Sequence, residues 1–269
     1  MKEESTTYSL NLGGQIVQLD EPEVMGILNV TPDSFFAKSR KQSESEVAQR
    51  AEQIVSEGAR FVDVGAYSTR PGATDVPEEE EVERLRMALA TVRQVVPEAL
   101  LSVDTFRASV VRRMAEEFGP FIVNDVTGGQ DPNMFPLVAQ LGLPYVLTNT
   151  EATALPLEFA QALHKLRQLG QCDIIADPGF GFGKTLDENY EVMHQLPAYQ
   201  ALELPLLVGV SRKSMIHRLL NITPDEALNG TSVLHVMALL AGANILRVHD
   251  VATAKEVIKI VRKCSSTSD

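Results

Sequence analysis

A chain of 269 residues, 44% apolar and 22% charged, has the composition of a soluble globular protein with a full-sized core. Its formal net charge of −12 argues against nucleic acid as a partner and repels small anions at long range, so an anionic substrate would need a local group of cations. No apolar run nears the roughly 18 residues of a membrane helix and MKEESTTYSL has no apolar signal core, so a cytoplasmic, enzyme-like protein without a membrane partner is expected.

Residues 1–23 are expected to form an N-terminal extension, a short hairpin or strand pair. The first apolar strand is VMGILNV (24–30), followed by SESEVAQRAEQIVSEG (43–58) with apolar residues three or four apart. RFVDVG (60–65) precedes PEEEEVERLRMALATVRQVV (77–96), where Pro77 and four glutamates mark a helix N-terminus. LLSVDT (100–105) leads to VRRMAEEFG (111–119), FIVNDV (121–126) to NMFPLVAQLG (133–142), and PYVLTN (144–149) to PLEFAQALHKLRQLG (156–170). Several of these helices end in a glycine able to take a left-handed cap. DIIADPG (173–179) precedes ENYEVMHQL (188–196), PLLVGVS (205–211) precedes one long apolar helix over 224–243, and NILRVHD (244–250) precedes ATAKEVIKIVRK (252–263).

Eight apolar strands alternating with helices predict parallel strands covered on the outside. No linker interrupts them, so a single-domain (β/α)8 TIM barrel over 24–264, with a flexible tail at 265–269, fits better than a doubly wound open sheet. Cys172 and Cys264 are far apart and read as buried or incidental thiols, and the five histidines show no zinc spacing.

A barrel places its chemistry where strands run into helices. Polar residues gather there: Asn29 and Thr31-Pro32-Asp33-Ser34, Ser68-Thr69-Arg70-Pro71-Gly72, Asp104, Asn124-Asp125, Asp177, Ser211-Arg212-Lys213, Arg247 and His249. Singly, each has a plain structural explanation as a cap, turn residue or solvated cation. Together, Asp104, Asn124 and Asp177 would face one cavity and suit a heterocycle with several N–H donors. Arg70, Arg247, His249 and Asn29 would form the cationic pocket that the net charge demands. The segment DPGFGFGKT (177–185) looks like a phosphate-binding loop, but the spacing puts Pro178 where the first glycine must stand, and proline has no N–H.

The segments MGILNVTPDSF (25–35), STRPGA (68–73), SVDT (102–105), VNDVTGG (123–129), DPGFGFGKT (177–185), LLVGVSRKSMI (206–216) and ILRVHDV (245–251) closely resemble dihydropteroate synthase, in the family's order. The match runs from about residue 24 to residue 262. The resemblance implies condensation of 6-hydroxymethyl-7,8-dihydropterin diphosphate with p-aminobenzoate, a step of folate biosynthesis, by an SN1-like substitution. It implies that Asp104, Asn124, Asp177 and Lys213 bind the pterin, and that Asn29, Arg247 and His249 bind the diphosphate, with Mg²⁺ reached through Asn29. Thr69, Arg70, Pro71, Phe182, Lys184 and Ser211 would border the p-aminobenzoate site, where sulfonamides compete. Asp104, Asp177, Lys213 and Arg247 would be catalytic, and a homodimer is expected, with Ser232 to Ala241 as its contact.

Two stretches depart from the family pattern. Thr148-Asn149-Thr150-Glu151 stands where a Met-His-Met-basic segment is usual, which costs a soft contact to the pterin face. Tyr67 stands where a glutamate is common. A pterin-binding protein with weak or no synthase activity and a methyltetrahydrofolate-dependent methyltransferase domain are the alternatives. The intact STRPG and SRK loops favour the synthase over the methyltransferase.

Overall fold

The computed structural model describes residues 7–30, 40–67, 75–153 and 155–266. It begins with an antiparallel hairpin, β1 (Tyr8–Leu12) and β2 (Gln15–Leu19), in which Leu12 lies opposite Gln15. Gly13 and Gly14, with φ of 62° and 94°, supply the left-handed pair that a two-residue turn requires. A side chain at Gly13 would also put its Cβ 2.2 Å from Pro120 Cγ.

Eight parallel strands follow: β3 (Glu23–Asn29), β4 (Phe61–Gly65), β5 (Leu100–Asp104), β6 (Ile122–Asp125), β7 (Tyr145–Thr148), β8 (Ile174–Asp177), β9 (Leu207–Val208) and β10 (Ile245–Val248). They neighbour one another in the order β8-β7-β6-β5-β4-β3-β10-β9, and a parallel bridge between Ala176 and Leu206 joins the two ends. Among the described residues nine α-helices lie between and after them: α1 (Arg40–Ser56), α2 (Glu78–Val95), α3 (Ala108–Phe118), α4 (Met134–Leu141), α5 (Leu157–Gln168), α6 (Leu186–His194), α7 (Ser214–Leu220), α8 (Leu228–Leu240) and α9 (Val251–Ser266). The result is the single-domain TIM barrel expected from the strand–helix alternation, not the open sheet.

Several details differ from the sequence reading. The strand expected over 205–211 shrinks to Leu207–Val208, and at its start the Leu206 N–H is taken by the Asn244 side chain at 2.9 Å. The long helix expected over 224–243 breaks at Ala227. Thr223 and Glu226 form a closed capping box around a 3₁₀ turn at Pro224–Glu226, and α8 starts afresh at Leu228. Helix α9 runs on to Ser266, past the start of the expected tail, and both cysteines are exposed.

The barrel interior is layered. Its floor takes one residue from each strand, Met25, Phe61, Leu100, Ile122, Val146, Ile175, Leu207 and Ile245, packed with Leu10, Leu12, Val17 and Leu19 of the hairpin in one cluster. The alternate residues of β1 and β2 thus form an apolar plug across the lower mouth. A separate, larger core fills the space between the outward faces of the strands and the helices.

Candidate active site

Side chains two positions along a strand share a face, so the floor ring fixes what lies above it. Moving two residues toward the C-terminal ends gives Ile27, Asp63, Ser102, Asn124, Thr148, Asp177, Gly209 and Arg247. Apolar residues give way there to a polar ring, and Asn29, Gly65 and Asp104, aligned with one another across β3 to β5, form part of the rim above it.

Asp63 is fully buried at the centre of this arrangement. Its Oδ1 accepts from Ser102 Oγ at 2.5 Å, and its Oδ2 accepts from Arg247 Nε at 2.7 Å and from Asn124 Nδ2 at 3.1 Å. Arg247 Nη2 reaches Asp104 Oδ2 at 2.6 Å. One guanidinium therefore spans two carboxylates. Burial would lower its pKa, but Asp63 and Asp104 together hold it above its ordinary range. Burial pushes the Asp104 carboxyl up to about 7, against the pull of Arg247 and with the like charges of Asp63, Asp125 and Glu81 adding to the rise. Asn124 Oδ1 is buried and finds no hydrogen-bond partner among the described residues.

Asp177 and Lys213 influence each other's charge without forming an ion-pair contact. The Asp177 carboxyl is raised by burial and restrained by Lys213, and its Oδ1 accepts from Gly179 N at 2.8 Å. Burial lowers the Lys213 ammonium to about 8, with Asp177 opposing the fall. Lys213 donates to the Phe180 carbonyl, and its Nζ lies 4.7 Å from the centre of the Phe182 ring. Lys184 Nζ donates to the carbonyls of Asn149 and Gly179, both at 2.9 Å, tying the loop after β7 to the glycine loop. Gly179, Gly181 and Gly183 all have positive φ, and a Cβ on Gly179 would sit 2.0 Å from the Asn149 carbonyl oxygen. Gly179 thus permits a close crossing of the two loops.

At the rim, Ser211 Oγ lies 3.2 Å from His249 Nδ1 and accepts from the His249 N–H at the same distance. Arg212 turns away from the mouth, donating to both oxygens of Asp250 at 2.8 and 2.7 Å and to Asp225. Asp125 also faces outward, where it takes the Tyr145 hydroxyl and the Thr127 and Gly129 N–H groups. Tyr67 donates its hydroxyl to Asp75 at 3.0 Å and packs edge-on against Phe106. Thr69, Arg70 and Pro71, like Asp33, lie outside the described residues.

The sequence reading missed Asp63, Ser102 and Thr148. Asp63 and Ser102 were hidden inside apolar strands, where only the parity of the lumen-facing positions exposes them. Thr148 is buried, in register with Asp177 on the neighbouring strand, whereas Thr150 is exposed, so Thr148 is the threonine of that segment that faces the lumen.

A plugged (β/α)8 barrel whose open mouth gathers buried carboxylates, cations and an amide has the layout of a barrel enzyme. The sequence pattern of the family described as pterin binding enzyme matches residues 25–249. The chain is 37% identical over 273 residues to the dihydropteroate synthase of Escherichia coli K12, covering 95% of this chain and 96% of that one. It is 34% identical to that of Bacillus subtilis, covering 88% and 87%. It is also similar in structure to a Xanthomonas albilineans dihydropteroate synthase solved with 4-aminobenzoic acid, with a TM-score of 0.89 at 33% identity, covering 97% of this chain and all of the other. The chain belongs to the pterin-binding enzyme family, among the dihydropteroate synthases.

Proposed function

We propose that the chain condenses 6-hydroxymethyl-7,8-dihydropterin diphosphate with p-aminobenzoate, releasing pyrophosphate and 7,8-dihydropteroate. The observation that carries this reading is the lumen ring of Asp63, Asn124, Asp177 and Arg247 above a sealed apolar floor. Asp104, Asn124 and Asp177 offer acceptors to the N–H edge of a pterin, with Lys213 beside its carbonyl side. Arg247, His249 and Asn29 receive the diphosphate. Ser211, Phe182 and Lys184, with Thr69, Arg70 and Pro71, border the second substrate.

In the reaction the methylene–oxygen bond breaks and its electron pair leaves with the diphosphate. The positive charge on the methylene spreads into the dihydropterin ring, where Asp104 and Asp177, already fixed and desolvated, favour it over the neutral ground state. The aryl amine nitrogen forms the new C–N bond and releases a proton. Its position, more than a general base, sets the rate.

Asn29 suits a Mg²⁺ that arrives with the diphosphate. A Cβ on the facing Gly65 would come within 3.3 Å of Asn29 Oδ1, so the glycine leaves that oxygen open. Among the described residues no group of three or more acidic, histidine or cysteine side chains could hold a resident metal. A single amide oxygen plus substrate phosphates is a donor set that Mg²⁺ accepts. When bound, the ion would neutralise charge on the leaving group.

We also propose a homodimer through α8, whose Val233, Met237 and Leu240 are 53%, 45% and 69% exposed at helical spacing. Among the described residues no helix is long and apolar enough to cross a membrane. The deciding experiment mixes purified protein with Mg²⁺, dihydropterin diphosphate and labelled p-aminobenzoate. Labelled dihydropteroate is expected, and its absence overturns the synthase reading. Tight pterin binding without pyrophosphate release would instead identify a binding protein.

A further inference from the structure

We infer that Asp63 is a positioning residue for the diphosphate end of the site, acting through Arg247; the inference rests on the reaction proposed above. A carboxylate in the middle of an apolar strand has no structural reason to be there unless its partners need it, since burying a charge is costly. Asp63 has no exposed surface, so substrate does not touch it. It is held from one side by Ser102 and spends its other oxygen on Arg247 Nε and the Asn124 amide.

The geometry divides Arg247 into two ends. Nε is fixed at 2.7 Å from a carboxylate that cannot move, because Ser102 holds its far oxygen at 2.5 Å. Nη2 rests 2.6 Å from Asp104, which lies on the rim and is also the acceptor offered to the pterin. When a pterin N–H takes Asp104, Nη2 is released while Nε stays anchored. The guanidinium then pivots on Asp63 to present Nη2 to the diphosphate. The same carboxylate fixes Asn124. Because a carboxylate only accepts, the amide nitrogen must face Asp63, which turns Oδ1 away from it.

The test is a pyrophosphate titration by calorimetry on wild type, Asp63→Asn, Arg247→Ala and the double variant. Turnover is measured in parallel. In the Arg247 background Asp63→Asn should weaken pyrophosphate by about tenfold or more, the scale on which residues that orient a ligand-binding group act. It should raise the KM for dihydropterin diphosphate and leave that for p-aminobenzoate within about twofold. In the Arg247→Ala background the same substitution should change pyrophosphate affinity by less than about twofold, because the group it positions is gone. Equal losses in both backgrounds, unchanged pyrophosphate affinity in Asp63→Asn, or a wild type that binds no pyrophosphate would each overturn the inference. If Asp63→Asn does not fold, Ser102→Ala loosens only Oδ1 and should weaken pyrophosphate several-fold, again only where Arg247 is present. Wild type that binds pyrophosphate yet makes no dihydropteroate defeats the proposed reaction and leaves the titration to decide the role of Asp63.

Discussion

Arg247 bridging Asp63 and Asp104 puts two carboxylates and one cation in a desolvated space, and this sets the pH behaviour of the site. With Asp104 raised to about 7 and Lys213 lowered to about 8, both groups carry their charges only in a narrow interval. The pH profile of kcat/KM, which follows the groups of the free enzyme, should be a narrow bell with limbs near those values, and Lys213→Arg should remove the alkaline limb. Asp104→Asn should lower kcat by about a hundredfold through lost stabilisation of the cation; a wild-type rate of pyrophosphate release would sink that role. The stability sign follows from the same shift. Between 3.8 and about 7 the folded protein keeps a proton on Asp104 that the unfolded chain has lost, so this group makes stability fall as pH rises through that window. Urea melts at pH 4.5 and pH 8 should therefore differ less for Asp104→Asn than for wild type. At this scale the sequence was legible where a polar residue ended an apolar run, as with Asp104, Asn124, Asp177 and Arg247. It was illegible at Asp63, because its position within Phe-Val-Asp-Val-Gly gives no sign of which face turns inward. As bare cations Arg212 and Lys213 looked alike, and beyond the family resemblance it is the Arg212–Asp250 pair that turns Arg212 away from the mouth.

At the level of elements, the strand–helix alternation was readable because parallel strands buried on both faces must be apolar throughout. The acidic start of α2 was readable for an electrostatic reason, since Glu78 to Glu81 occupy its first turn beside Pro77. The break before α8 was not, because a capping box at Thr223 and Glu226 equally marks the start of a single helix from Pro224 and gives no sign of a restart at Leu228. The role of the hairpin was also invisible: Leu10, Leu12, Val17 and Leu19 show alternation but not the floor they cover. Leu10→Ala should cost about 2–5 kcal/mol in urea unfolding, the range for a truncated buried leucine, although Leu10 lies at the opposite end of the barrel from the proposed substrates. A loss under 1 kcal/mol would mean that the plug contributes little.

For the whole molecule, the exposed stripe on α8 and the exposed Leu219 and Leu220 on α7 give the barrel an apolar flank that a monomer would leave in water. Light scattering should report a dimer for wild type and a monomer for Met237→Glu; a monomeric wild type at all concentrations would remove the interface. The floor of the barrel has a further consequence, for how the molecule comes into being. Its first strand pair packs against Ile245, and Glu21 pairs with Arg262 on the last helix, so contacts of the earliest residues join them to the latest. Such pairings close slowly, because more than two hundred intervening residues must first be ordered. During synthesis the hairpin leaves the ribosome with four apolar side chains and no complete floor to receive them until β10 is made. Closing the bottom of the barrel is thus the step that joins the hairpin and β10 into one cooperative unit, and the growing chain carries an exposed apolar face until then.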